Sequence, residues 1–182
     1  MELPVTYQKE TVGRLTVTQQ GLYYRFEADC TVTCTEPLRL FAVCGFNSKP
    51  IGVLSREGSL NKRISVREAG KLPSYAVLGN TDAGYFPWCG VIDGETVADA
   101  YLKGEGAQMT LALPVSDGME VPLIGFAAQM TPAAVCGREC LQLPLQDGRP
   151  VQPEAELQDE TDLPAQPPEE FDLSFFRTQQ EL

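Results

Sequence analysis

The sequence predicts an all-β protein, an antiparallel sandwich or barrel. Two observations predict it: apolar and polar residues alternate with a period of two, and turn residues recur between the alternating runs. Alternation is cleanest over residues 21–34, "GLYYRFEADCTVTC". Leu22, Tyr24, Phe26, Ala28, Cys30, Val32 and Cys34 fall in one register, and Tyr23, Arg25, Glu27, Asp29, Thr31 and Thr33 in the other. That is the pattern of a strand with one buried face, so both cysteines are expected in the core. Four residues of extended chain separate them by roughly 13 Å, too far for a shared metal ion or a disulfide.

The remaining elements follow in order. "VTYQKE" opens the series, and "GRLTVTQQ" and "LYYRFEADC" form a hairpin around Gln20 and Gly21. In "PLRLFAVCGF", Leu38, Leu40, Ala42, Cys44 and Phe46 share a side. "IGVL" and "SLNKRISV" bracket the turn "SREG". Residues 66–84 have no clean period and are read as a linker with one short helical turn. Asp93-Gly94 marks a turn. "ETVADAYLKG" has capping-box spacing at Thr96 and Asp99, but a strand is preferred because "KGEG" then links it to "AQMTLALPV". "VPLIGFAAQM" and "CLQLPLQ" continue the series, and "QDGRP" closes it.

A shift of 85 residues sets Gly21 on Gly106, Pro37 on Pro122, Leu38 on Leu123, Phe41 on Phe126, Ala42 on Ala127 and Gly52 on Gly137, six identities over the 32 positions 21–52. Two related β-units packed face to face would produce such a pattern. The expected organisation is therefore a first unit at 1–70, a linker at 71–84 and a second unit at 85–151. An acidic, proline-rich arm follows at 152–182.

Charge separates the arm from the body. Residues 152–182 hold nine acids and one arginine, net −8; residues 1–151 hold 16 acids and 13 bases, net −3. Such an arm has too little apolar surface to form its own core, yet it ends in "FDLSFFRTQQEL". Phe171, Leu173, Phe175 and Phe176 are expected to dock on a protein partner, a second copy or the body itself. The body carries no basic stripe for nucleic acid, whose binding rests on neutralising phosphates. No run of 18 apolar residues suggests a membrane span. "MELPVTYQKE" has neither a basic nor an apolar export region, and the six cysteines are then read as free thiols of a cytoplasmic protein.

The chain has no histidine. This excludes Ser-His-Asp and Cys-His nucleophilic systems and imidazole metal sites. Asp82, Asp93, Glu95 and Asp99 gather carboxylates within 18 residues, but turn and surface roles explain them more simply. Cys136 and Cys140 flank Gly137 and leave zinc, a local disulfide or inert thiols open. Cys140, opposite Leu141, Leu143 and Leu145, is expected to be the most exposed thiol. Tyr85, Phe86 and Trp88 in "YFPWC" are either a core plug or a stacking platform for a sugar ring.

Gly13 to Tyr24 ("GxLxVxxxGLYY"), with Arg39, Leu40, Ile51–Leu54 and "DGRPV", resembles a group of β-rich proteins of anaerobic Firmicutes with no assigned activity. The resemblance covers most of the body. It implies a bacterial origin and a β fold, and brings no catalytic residue, cofactor or metal. The expected function is a non-enzymatic protein-binding or scaffolding module, acting through the arm or a sheet edge. A carbohydrate-binding module using Tyr85, Phe86 and Trp88 is the alternative, and a carboxylate or thiol enzyme ranks last.

Overall fold

The structure, a computed structural model, describes residues 1–118 and 120–152. Phe171, Leu173, Phe175 and Phe176 lie outside the described residues. The chain is all-β, in two sheets. The first comprises β1 (Glu2–Tyr7), β2 (Glu10–Gln20), β3 (Tyr23–Cys30), β4 (Arg39–Cys44), β5 (Asn47–Val53), β6 (Ser59–Ser65) and β7 (Tyr75–Gly79). Its order is β5-β4-β7-β1-β2-β3-β6. The outermost strands, β5 and β6, are joined by a tight turn in which Ser55 N–H donates to the Ser59 carbonyl at 2.8 Å, so the sheet curls into a nearly closed barrel. One helical turn, α1 (Val66–Ala69), follows β6 and is capped by the Ser65 side chain.

The second sheet comprises β8 (Phe86–Ile92), β9 (Glu95–Glu105), β10 (Gln108–Pro114), β11 (Thr131–Val135), β12 (Arg138–Gln146) and β13 (Arg149–Pro150). Its order is β11-β12-β10-β9-β8, with β13 beside β12. Asp93 and Gly94 join β8 to β9 with positive φ at both positions (50° and 83°), as a two-residue hairpin turn of the favoured twist requires.

Alternation places the cores. Val5, Leu15, Val17, Phe26, Ala28, Cys30, Leu40, Ile51, Ile64 and Leu78 fill the barrel. Phe41, Val43 and Val77 point the other way, and pack with Trp88, Val97, Leu102, Leu111, Leu113 and Leu143 between the barrel wall and the second sheet. Strands β4 and β7 are thus buried on both faces.

That double burial corrects the linker reading of 71–84. Tyr75–Gly79 is an interior strand of the first sheet, pairing antiparallel with β4 and parallel with β1. A strand covered on both sides reads as a continuous apolar run rather than as an alternation, and "YAVLG" has no polar face to mark it. Cys34 is a second correction. β3 ends at Cys30, opposite Gly13: β6 stops at Ser59, opposite Asp29, while β2 runs on to Glu10 as the partner of β1. Thr31 N–H still reaches the Val12 carbonyl, but beyond it the chain leaves the sheet and Cys34 is exposed. Leu22 sits in the hairpin turn, 80% exposed. Finally, Ile124–Gln129 within "VPLIGFAAQM" is a 3₁₀ helix.

The 85-residue shift has a structural counterpart. Leu3 pairs with Leu15 as Trp88 pairs with Ala100; Tyr7 with Glu10 as Ile92 with Glu95; and Val17 with Phe26 as Leu102 with Leu111. Both first pairs of strands also slip register near the same place, between Val5 and Thr6 and between Trp88 and Gly90. The meanders β1–β2–β3 and β8–β9–β10 are therefore equivalent in register. The equivalence fails at β4, whose shifted counterpart is the 3₁₀ helix.

Candidate functional site

The turn between β4 and β5 reaches from the barrel to the second sheet. Phe46, in that turn, lies flat on Trp88 with ring centroids 5.6 Å apart and planes 3° apart. Trp88 Nε1–H donates to the Gly45 carbonyl at 2.8 Å, and Ser48 Oγ donates to the Pro87 carbonyl at 2.6 Å. Gly148, in the β12–β13 turn, closes against the ring of Phe46: a Cβ there would lie 2.3 Å from it. Beside this contact opens a cleft of about 750 Å³ with Phe46, Phe86, Leu102 and Met109 among its apolar walls and Lys49, Glu105 and Asp147 among its polar ones.

On the other side of the same turn lies the mouth of the barrel, a hollow of about 550 Å³ with Phe26, Ala42 and Ile51 in its wall and Lys49, Glu68 and Lys71 around it. Cys44, Asn47 and Lys49 line both hollows, so the two adjoin across the β4–β5 turn as the halves of a groove. The Lys49 ammonium donates to the Glu68 carbonyl and ties β5 to α1. Leu72 and Tyr75, 44% and 39% exposed, follow Lys71 on the chain.

The two hollows are lined by Lys49 and Lys71 against Glu68, Glu105 and Asp147, and both lysines come from a segment whose charge opposes that of the rest. Residues 39–71 carry seven bases against two acids (Glu57 and Glu68), whereas the rest of 1–151 carries six bases against 14 acids. Among the described residues the salt bridges are Arg14–Glu2, Arg25–Glu27 and Arg138–Asp99, so none of the seven is in one. Arg63 instead lies over the ring of Tyr23 at 4.0 Å. Counting charge in windows would have exposed this band in the sequence. The contact of Phe46 with Trp88, 42 positions apart, has no local signal.

The three aromatic residues singled out in "YFPWC" do not share a platform. Trp88 is 1% exposed inside the core between the sheets. Tyr85 is 6% exposed on the opposite face of the second sheet, where Gln142 Nε2 donates to its hydroxyl at 2.6 Å. Phe86 alone reaches the surface, edge-on to Phe41.

That opposite face carries the titratable groups. Asp99, 9% exposed, accepts from Arg138 Nη2 at 2.8 Å. Burial works against the Arg138 cation, but hydrogen bonds with Asp99 and Tyr101 outweigh it and raise its pKa. Burial pushes the Tyr101 hydroxyl up to about 12, although its hydrogen bond with Arg138 pulls the other way. The Cys136 N–H donates to Asp82 Oδ2 at 2.9 Å, and its thiol to the Asn80 carbonyl at 3.3 Å. Burial first, and the Asp82 charge second, hold the Cys136 thiol above its usual range. Cys140 is buried rather than exposed, because Tyr85 and Tyr101 cover this face; burial raises its pKa too. The four candidate carboxylates serve separate structural roles. Asp82 holds the Cys136 turn, Asp93 makes a hairpin turn, Glu95 accepts from Leu123 N–H, and Asp99 pairs with Arg138. All six cysteines are free, and no group of three or more cysteines and carboxylates among the described residues is placed to hold a metal ion.

These features define an all-β protein, a nearly closed barrel with a second sheet on its wall and an aromatic-edged groove of mixed charge at their junction. Comparison with protein-family models, curated proteins and solved structures finds no match to this chain.

Proposed function

We propose that the protein is a non-enzymatic binding module whose groove docks an acidic, aromatic-bearing peptide segment. One observation carries this reading: Lys49 and Lys71, from the basic segment 39–71, line hollows whose apolar walls include Phe26, Phe46 and Phe86, on a body otherwise rich in acids. Apolar anchors that enter a pocket, ringed by charge that steers the encounter, are the usual ingredients of a peptide-binding surface. Sheet-edge pairing is the weaker route. The edge strands of the second sheet, β8 and β11, contain Pro87 and Pro132, and proline blunts an edge by removing a donor. Six free thiols accord with a reducing cytoplasm.

The test is fluorescence anisotropy with a labelled synthetic peptide of alternating Glu and Phe. The full-length chain is used, with its arm acids changed to Asn or Gln and its arm phenylalanines to Ser. Binding should weaken at least tenfold when Lys49→Glu and Lys71→Glu are added, and should weaken again as salt rises. Equal affinity with and without those two changes sinks the reading.

A further inference from the structure

We infer that the segment this groove takes is the chain's own arm, residues 153–176; the inference rests on the reading just given. Charge is the first support. The arm from 152 onward carries nine acids and one base, and the hollow at the barrel mouth presents Lys49 and Lys71 against Glu68, with neither lysine in a salt bridge among the described residues. The second is where the described chain ends. Asp147 and Gly148 line the cleft, and β13 starts at the next residue. Val151 N–H is still tied to the Pro144 carbonyl at 3.1 Å. Residue 152 therefore lies within about 13 Å of Gly148 at strand spacing.

Length is the third. From Gln152 to Phe171 the chain can span at most about 65 Å, enough to cross from β13 to either hollow. The fourth is chemistry. The acidic stretch precedes Phe171, Leu173, Phe175 and Phe176, so acids facing Lys49 and Lys71 deliver aromatic rings to the apolar walls at Phe46 and Phe86. A tethered segment meets its site at an effective concentration in the millimolar range. Even a weak site, with a dissociation constant of about 100 μM, would then be filled about nine-tenths of the time. An external partner with the same chemistry must displace the arm first, which makes it a built-in competitor.

Zero-length carbodiimide cross-linking of the unmodified full-length chain tests this. The sample is an equal mixture of unlabelled and nitrogen-15-labelled protein, read by mass spectrometry. Cross-links are expected from the acids between Glu154 and Asp172 to Lys49 and Lys71. They should join peptides of one isotope only, and fall at least fivefold in about 0.5 M salt, where charges beyond a few ångströms are screened. Three results would overturn the inference: cross-links spread equally to Lys9 and Lys103, mixed-isotope cross-links from a second copy, or none from the arm. If the anisotropy experiment succeeds and these cross-links fail, the groove stands and only the identity of its occupant is wrong. If both fail, the groove reading falls as well.

Discussion

Phe46 lies face to face with Trp88, 5.6 Å between centroids, and this one contact pins the β4–β5 turn of the barrel to the first strand of the second sheet. Trp88 is 1% exposed, and Phe46 covers it from the side on which the cleft opens. Phe46→Ala should destabilise the fold by about 2–3 kcal/mol, combining lost apolar burial with the extra worth of an aromatic pair. It should also shift the Trp88 emission to the red and admit acrylamide quenching while the far-ultraviolet spectrum stays unchanged. Gly148→Ala should act through the same ring, because its Cβ would lie 2.3 Å from Phe46 and φ is +77°. Wild-type emission in either variant would show that the two rings do not depend on each other.

The Asp99–Arg138 pair is mostly out of solvent, at 9% and 24% side-chain exposure. Removing one partner strands the other, so Arg138→Gln should cost about 3 kcal/mol in urea unfolding. The double change Asp99→Leu with Arg138→Met removes both charges and should recover most of that loss. A double variant as unstable as the sum of the two singles would indicate that the groups act independently.

The barrel meander was legible because each of its strands has one apolar face. Phe26, Ala28 and Cys30 alternate with Arg25, Glu27 and Asp29, and Gly21 announces the β2–β3 turn. Strand β7 was not legible, because Ala76 and Leu78 enter the barrel while Val77 meets the second sheet. The thiols were misjudged for related reasons. Alternation continues to Cys34, but β6 stops at Ser59 and the pairing of β3 with β2 stops at Gly13. Cys140 was correctly set opposite Leu141, Leu143 and Leu145, yet that face is roofed by Tyr85 and Tyr101. Of the groove, the charge band lay within reach of simple counting. Its aromatic side depends on Phe46 meeting Trp88, a tertiary contact.

Burial pushes the thiols of Cys30 and Cys89 up to about 11 from an ordinary 9.0. Their folded pKa values exceed the unfolded ones. The stability they contribute is therefore fully present below pH 9 and is lost as pH rises from about 9 to about 11, where the unfolded chain releases protons that the folded chain retains. The combined loss should be of the order of 2–5 kcal/mol. Urea midpoints measured across this window should fall steeply for the wild type and less steeply for the Cys30→Ala, Cys89→Ala double variant. Parallel slopes would contradict the assignment.

The same burial orders the thiols by reactivity. Near pH 8 a disulfide reagent should modify Cys34 first, because it is exposed, and reach Cys30, Cys89 and Cys140 only as the protein opens. Peptide mapping after a short pulse checks the order. Early labelling of Cys140 would mean that the Tyr85 and Tyr101 cover is not closed.

Leu123 explains why the 85-residue equivalence stops where it does. Its counterpart Leu38 leads into strand β4, whereas Leu123 adopts φ 61°, ψ 29° and turns the chain into the 3₁₀ helix. A left-handed conformation costs a non-glycine residue about 1–2 kcal/mol. It is held here by complete burial of the side chain and by a 2.8 Å hydrogen bond from Leu123 N–H to Glu95 Oε2. Glu95→Ala leaves that N–H without its acceptor and should cost about 2 kcal/mol. Glu95→Gln keeps a carbonyl oxygen at the same reach and should cost less than about 1 kcal/mol. Hydrogen exchange at the Leu123 amide should accelerate in the alanine variant and stay slow in the glutamine variant. Equal protection in both would mean that burial alone sets the left-handed turn.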